Sequence, residues 1–168
     1  MNANQRRNKI LQRLTSADAA ISATALAKEF SVTRQVIVGD IALLRAQGHD
    51  IAATPRGYIV PTAATGLIYQ IACSHSEAQT QAELNAIVDC GCTVLDVIVE
   101  HPVYGQLTAP LQIASRYDVE LFLQKMSDAA PLSALTEGIH LHTVSCPSED
   151  IFAHLREKLL QLGVLLAE

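Results

Sequence analysis

Along residues 5 to 14, QRRNKILQRL, the apolar positions Ile10, Leu11 and Leu14 fall at helical spacing, and the charges fall opposite them. ISATALAKEF predicts a second helix, with Ser22 as its N-cap and Leu26 and Phe30 as its buried stripe. SVT interrupts the pattern. Thr33 is then an N-cap for a third helix, RQVIVGDIALLRAQG, in which Ile37, Ile41 and Leu44 share one face and Gly48 stands at the C-terminal cap. DIAATPRGYIVP follows, two short apolar runs around PRG, which reads as a β-hairpin with a basic tip. Two helices joined by a short turn, then a hairpin, predict a winged helix-turn-helix over residues 1 to 61.

PTAATG, residues 61 to 66, is small and polar and reads as a linker. Beyond it, strand and helix patterns interleave. LIYQIACSH is strand-like. SEAQTQAELNAIVDCG is a helix, with Ser76 and Gln79 spaced as a capping box, Leu84, Ile87 and Val88 facing inward, and Gly91 at its end. CTVLDVIVEH and YGQLTAPLQI read as an antiparallel strand pair. SRYDVELFLQKMSDA is a helix with Ser115 and Asp118 in capping-box positions, and GIHLHTVSC is the next strand. PSEDIFAHLREKLLQLG is a last helix that opens on Pro147 and Ser148 and ends at Gly163, and VLLAE is a short final strand. The order β-α-β-β-α-β-α-β predicts an α+β sandwich over residues 66 to 168, a mostly antiparallel sheet with helices on it.

Charge divides the chain in the same place. Residues 1 to 60 hold eight Lys or Arg and four acids, a balance of +4, although the whole 168-residue chain carries −5. A basic first third joined to an acidic remainder predicts a polyanion-binding module attached to a unit with another task. Thr33, Arg34 and Gln35 open the third helix and Arg56 marks the hairpin tip, the types and places that meet phosphates and base edges, with Arg6 and Arg7 extending the basic face. No apolar run approaches the ~18 to 20 residues of a membrane span. The N-terminus has basic residues with no apolar core after them, so no signal peptide is expected. The expected compartment is the cytoplasm, with the four cysteines reduced. Cys73 and Cys146 read as small core residues, and Cys90 and Cys92 lack a second pair with which to build a thiolate zinc site.

Six histidines are present. His49 and His154 read as solvated. His75, His101, His140 and His142 fall at or near strands of the second domain. In a strand, residues 140, 142 and 144 share a face, so His140 and His142 form either a metal or ligand site or a wet sheet face. His75 ends the first strand of that domain and Glu83 lies on the following helix. Three imidazoles and a carboxylate suit nickel, iron, cobalt or zinc. Spacing alone does not bring His75 and Glu83 to the pair. The second domain holds four bases, Arg116, Lys125, Arg156 and Lys158. No Gly-rich phosphate loop, nucleophile elbow or HExxH motif is present, which argues against an enzyme, although Asp96 and Glu100 are candidate bases.

The stretch VTRQVIVGDIALLRAQGHDIAATPRGYIV closely resembles the helix-turn-helix and wing of the niacin-responsive repressors. His75 with Glu83, DVIVEHPVYGQL, SRYDVELF and GIHLHTVSCPSED resemble the three-histidine (3H) domain that accompanies it. Gly39 departs from that pattern, standing where a polar residue is expected. The resemblance implies a homodimeric repressor that binds operator DNA, senses nicotinic acid and controls genes of NAD synthesis or niacin uptake. It also implies one divalent transition metal per chain, held by His75, Glu83, His140 and His142. An anionic pyridine needs a cation for its carboxylate, which the metal would supply in an acidic domain, and His101, Tyr104 and Arg116 are the candidate effector contacts. Two other readings stay open: a repressor that senses the metal itself, and a metal-dependent enzyme with a DNA-binding domain.

Overall fold

The computed structural model describes residues 1–166 and divides the chain into two compact units, Met1–Ala63 and Ala64–Glu168. In the first unit, α1 spans Ala3–Thr15, opened by an Asn2–Gln5 capping box. Helix α2 is Ala23–Glu29, and the Ser22 side chain caps the Ala25 N–H. Helix α3 is Arg34–Ala46, with Thr33 capping the Val36 N–H. The turn between α2 and α3 passes through Ser31 in the left-handed region. Ile10, Leu14, Leu26, Ile37, Ile41, Leu44 and Ile51 form one buried aliphatic core, so the apolar stripes of all three helices meet. Strands β1 (Ala52–Thr54) and β2 (Gly57–Ile59) make the wing, and Tyr58 of β2 bridges Ile21 ahead of α2. The Arg45 Nε–H donates to the Ile51 carbonyl at 2.8 Å, and its guanidinium lies over the Tyr58 ring, tying α3 to the wing.

The second unit is a four-stranded antiparallel sheet with helices on one face. Its strands are β3 (Leu67–Ser74), β4 (Thr93–His101), β5 (Gly105–Ile113) and β6 (Ile139–Cys146), in the order β3-β6-β4-β5. Ile71, Cys73, Val94, Leu111, Ile113, Val144 and Cys146 meet Leu84 and Ile87 of α4 (Thr80–Asp89), Val119 of α5 (Arg116–Met126), and Leu155 and Leu159 of α6 (Glu149–Gln161) in a single core. Strand alternation therefore decides the histidine question. His140 and His142 share parity with Val144 and Cys146, so they face the helices, and the wet-face reading falls away.

Three local expectations change. The helix after β3 opens with a 3-10 turn, Glu77–Gln79, and Ser76 makes no side-chain cap bond. Its carbonyl instead accepts the Gln79 N–H and meets Nδ1 of His75, so the predicted capping box does not form there. The Ser115–Asp118 box does form. A second 3-10 segment, Leu132–Thr136, precedes β6 and has no apolar periodicity to announce it. Of the final strand VLLAE, the described part pairs with β3 through one bridge, Leu165 to Cys73, and residues 167 and 168 lie outside the described residues.

Candidate metal centre and nucleic-acid interface

Strand β6 presents His140 and His142 two residues apart on its helix-facing side. Its antiparallel register with β3 sets Cys73 opposite His140 and Ile71 opposite His142. His75 follows just past the end of β3. Helix α4 lies above this patch and lowers Glu83, 1 % exposed, onto it. Glu83 Oε2 is 2.7 Å from Nε2 of His75 and 3.5 Å from Nε2 of His142, and Oε1 is 3.2 Å from Nε2 of His140. The four residues separated in sequence thus meet at one point, with side chains 1–4 % exposed.

Each ring is also held from behind. Nδ1 of His75 lies 2.8 Å from the Ser76 carbonyl, Nδ1 of His140 lies 2.9 Å from the Gly138 carbonyl, and Nδ1 of His142 lies 2.7 Å from the Asp96 carbonyl. A carbonyl only accepts, so Nδ1 carries the proton in all three rings and Nε2 of the neutral ring bears a lone pair. Three lone pairs then face a carboxylate, acceptor against acceptor. A positive charge must lie among them, either as protons on the imidazoles or as a metal cation.

Electrostatics leans on this point from both sides. Burial pushes the Glu83 carboxyl up, but hydrogen bonds from His140, His142 and His75 outweigh it and hold the carboxyl well below its ordinary range. The hydrogen bond to Glu83 raises His75 against its desolvation, and His142, whose burial pulls it down, ends raised by Glu83 and Asp96. Three imidazoliums around one carboxylate would leave excess positive charge in a dry site, which is unfavourable. One divalent ion satisfies the same lone pairs and the carboxylate together. Imidazoles whose Nδ1–H donates to a carbonyl and whose Nε2 is bare are also oriented as ligands of a borderline ion. The donor set therefore fits a divalent transition metal. Thr80, one helical turn before Glu83 on the same face, adds a buried hydroxyl with no hydrogen-bond partner among the described residues.

One neighbour of the cluster was not legible as such. Cys73, read from sequence as core packing, is fully buried, yet its sulfur groups with a Glu83 oxygen and a His140 nitrogen, all within 4.8 Å of one another. Burial, then the Glu83 charge, pushes its thiol far up. Its strand parity with His75 was the available signal. Cys92 and Cys146 instead face each other, sulfur to sulfur at 2.8 Å, inside the core.

The candidate effector contacts separate. His101 and Tyr104 meet at the β4–β5 turn, rings 5.0 Å apart, and His101 Nδ1 accepts the Val103 and Tyr104 N–H groups. Tyr104 is exposed. Arg116 forms a two-pronged pair with Asp89, at 2.8 and 2.6 Å, between the start of α5 and the end of α4. A cavity of about 320 Å³ opens instead beside His75, lined by Ser74, Ser76, Glu77, Ser133 and Glu137 among others.

In the first unit, Thr33, Arg34 and Gln35 are exposed at the start of α3, and Arg56 is exposed at the wing tip. Arg6 and Arg7 are used differently. Arg6 Nε donates to Asp40 Oδ2 at 2.6 Å, and Arg7 lies 3.5 Å from Asp40 Oδ1, so both bind α1 to a buried carboxylate on α3. An added Cβ on Gly39 would meet nothing within 4 Å, so no neighbouring helix of this chain requires a glycine there.

Comparison with known proteins agrees with this division. Residues 6–59 match the model of an HTH domain, and residues 68–168 match that of the 3H domain. The chain is 42% identical over 174 residues to the transcription repressor NadR of Bacillus subtilis, covering 100% of this chain and 96% of that protein. It is 38% identical over 166 residues to the probable transcription repressor NiaR of Thermotoga maritima, covering 98% of this chain and 95% of that protein. Both relatives thus carry the name of a transcription repressor, the second as a probable one. Among the described residues, no helix is long and apolar enough to cross a membrane.

Proposed function

The chain belongs to the family of the transcription repressors NadR and NiaR, an HTH domain followed by a 3H domain, and from that premise we propose that it represses genes of NAD synthesis or niacin uptake when nicotinic acid is bound. The observation that supports an effector-sensing role is the buried convergence of His75, His140 and His142 on Glu83. These four residues hold one divalent transition metal, nickel, zinc, cobalt or iron. Bound there, the ion supplies a Lewis-acidic position for a carboxylate or a ring nitrogen.

The chain's own residues do the rest. The cavity beside His75 takes a small polar ligand on the accessible side of the site. Its acidic rim, Glu77 and Glu137, would repel a free carboxylate, so the anion binds only where the ion neutralises that field. His101, Tyr104 and Arg116 are secondary contacts, reached only if the β4–β5 turn closes toward the ligand and Arg116 leaves Asp89. Thr33, Arg34 and Gln35 read the operator from α3, and Arg56 grips a phosphate from the wing. Arg6 and Arg7 serve this interface as anchors of α1 on α3. A cytoplasmic homodimer presents two such helices about one DNA turn, ~34 Å, apart. Effector coupling of about 1–3 kcal/mol changes operator affinity about 5- to 150-fold.

Calorimetric titration of nicotinic acid into metal-loaded protein tests this reading, repeated on the His140→Ala, His142→Ala double variant. Saturable binding of one molecule per chain, lost in the double variant, is the expected result. A folded, metal-loaded parent that binds no nicotinic acid overturns the effector assignment. Metal-dependent operator binding in that protein would make the ion itself the signal.

A further inference from the structure

We infer that Cys73 is a fifth protein donor to the ion, its thiolate completing a Cys-His-His-His-Glu set. The inference rests on the metal reading above and deepens it. Strand alternation puts Cys73 and His75 on the same side of β3, and the β3–β6 register sets Cys73 directly opposite His140. His140 is the middle imidazole of the three, its ring 4.9 Å from that of His75 and 4.8 Å from that of His142. The sulfur therefore sits beside His140 and Glu83, the two donors with which it forms one cluster, while His75 and His142 flank that cluster through Glu83. It lies within 4.8 Å of both a Glu83 oxygen and a His140 nitrogen, a span that one ion bridges. Its side chain is fully buried, so water does not compete for it. The other thiols are placed otherwise, Cys92 and Cys146 against each other and Cys90 half-buried at the end of α4.

Ligation forms a sulfur–metal bond and breaks the S–H bond. The proton leaves to solvent and no oxidation state changes. A thiolate among imidazoles shifts the preference of the site toward zinc, cobalt and nickel and away from manganese and magnesium.

The test loads the full chain with cobalt(II) and follows stoichiometry by equilibrium dialysis and ligation by absorption. One cobalt per chain with an intense near-ultraviolet sulfur-to-metal charge-transfer band is expected, lost in Cys73→Ser and kept in Cys92→Ser. Stoichiometric cobalt without that band, or a band that survives Cys73→Ser, overturns the inference and leaves the three-histidine site standing. No cobalt, nickel or zinc bound by the parent overturns both. Because Cys73→Ser alters a buried position, X-ray absorption at the zinc edge of the loaded parent gives an answer without the variant. A sulfur shell near ~2.3 Å is expected, and nitrogen and oxygen neighbours alone overturn the assignment.

Discussion

Nδ1 of His142 lies 2.7 Å from the carbonyl oxygen of Asp96, beside the shift of register in the β4–β6 ladder between Val94 and Ile98. A regular ladder would commit that carbonyl to a strand N–H. The irregularity releases it to orient an imidazole, while the Asp96 side chain accepts the Thr143 N–H at 3.0 Å. Asp96, a candidate catalytic base on sequence grounds, is a brace for the histidine strand.

Asp96→Ala is therefore expected to leave the Thr143 amide without its acceptor and to loosen β6 beside His142. An unsatisfied buried donor costs about 1–3 kcal/mol, and the half-buried Thr143 amide should fall at the low end, readable as a lower denaturation midpoint. The carbonyl that orients His142 belongs to the main chain and survives in Asp96→Ala, so metal affinity should fall by less than the about 10- to 100-fold that loss of such an orienting group costs. Asp96→Asn keeps Oδ1 and should lie close to the parent in both measurements.

The metal-free protein should have an inverted pH dependence. Glu83, depressed well below its ordinary 4.5, contributes stability above that value and loses it as pH falls through the depressed one. His75 and His142, raised above their ordinary 6.5, contribute stability below that value and lose it as pH rises through the raised ones. Without metal, the second unit should be most stable in mildly acidic solution and weaken through neutrality. Metal competes with protons for the same Nε2 atoms, so the stabilisation it adds should grow over that interval. Calorimetric melting at a series of pH values, with chelator and with zinc, checks both slopes. Glu83→Gln should flatten the metal-free profile, because an amide donates to a bare Nε2 where a carboxylate cannot, and should abolish the zinc-induced rise in Tm.

Gly138 supports two of the histidines through its backbone. Its carbonyl accepts the His75 N–H at 3.3 Å and faces Nδ1 of His140 at 2.9 Å. Its φ is +94°, and a Cβ there would stand 2.3 Å from the His75 carbonyl oxygen. Gly138→Ala forces β3 and β6 apart at the site. Backbone strain of this kind costs about 1–3 kcal/mol, and metal affinity should fall with the midpoint of denaturant unfolding.

The arginines of the first unit should sort by what they touch. Arg34→Ala removes a phosphate or base contact, so operator affinity should drop and the log–log salt slope should shrink by about 1 if the contact is to phosphate. Arg6→Ala strips a partner from the buried Asp40 carboxylate. It should lower the melting temperature of the first unit and leave the salt slope nearly unchanged. Fluorescence anisotropy with operator DNA, alongside melting curves, separates the two.

What the sequence determined by itself was local. Helical spacing marked α1, α3 and α4, Ser22, Thr33 and Ser115 marked helix starts, and the β-like runs marked the strands, because these signals depend on neighbours within a few residues. The His140–His142 pair was legible for the same reason, since alternation needs only one strand. Convergence with His75 and Glu83 entered through family resemblance, and the tertiary structure supplied its cause: a β3–β6 register across about seventy residues and a helix laid over it. The rest was invisible in the chain. Cys73 reads as core packing, which it is, and only the β3–β6 register shows that it also stands opposite His140. The pairing of Arg6 and Arg7 with Asp40 has no local signal, because it joins α1 to α3 across more than thirty residues. The carbonyls of Ser76, Asp96 and Gly138 carry no side-chain signature at all. Periodicity records which face is buried, and only the folded backbone decides which buried groups touch.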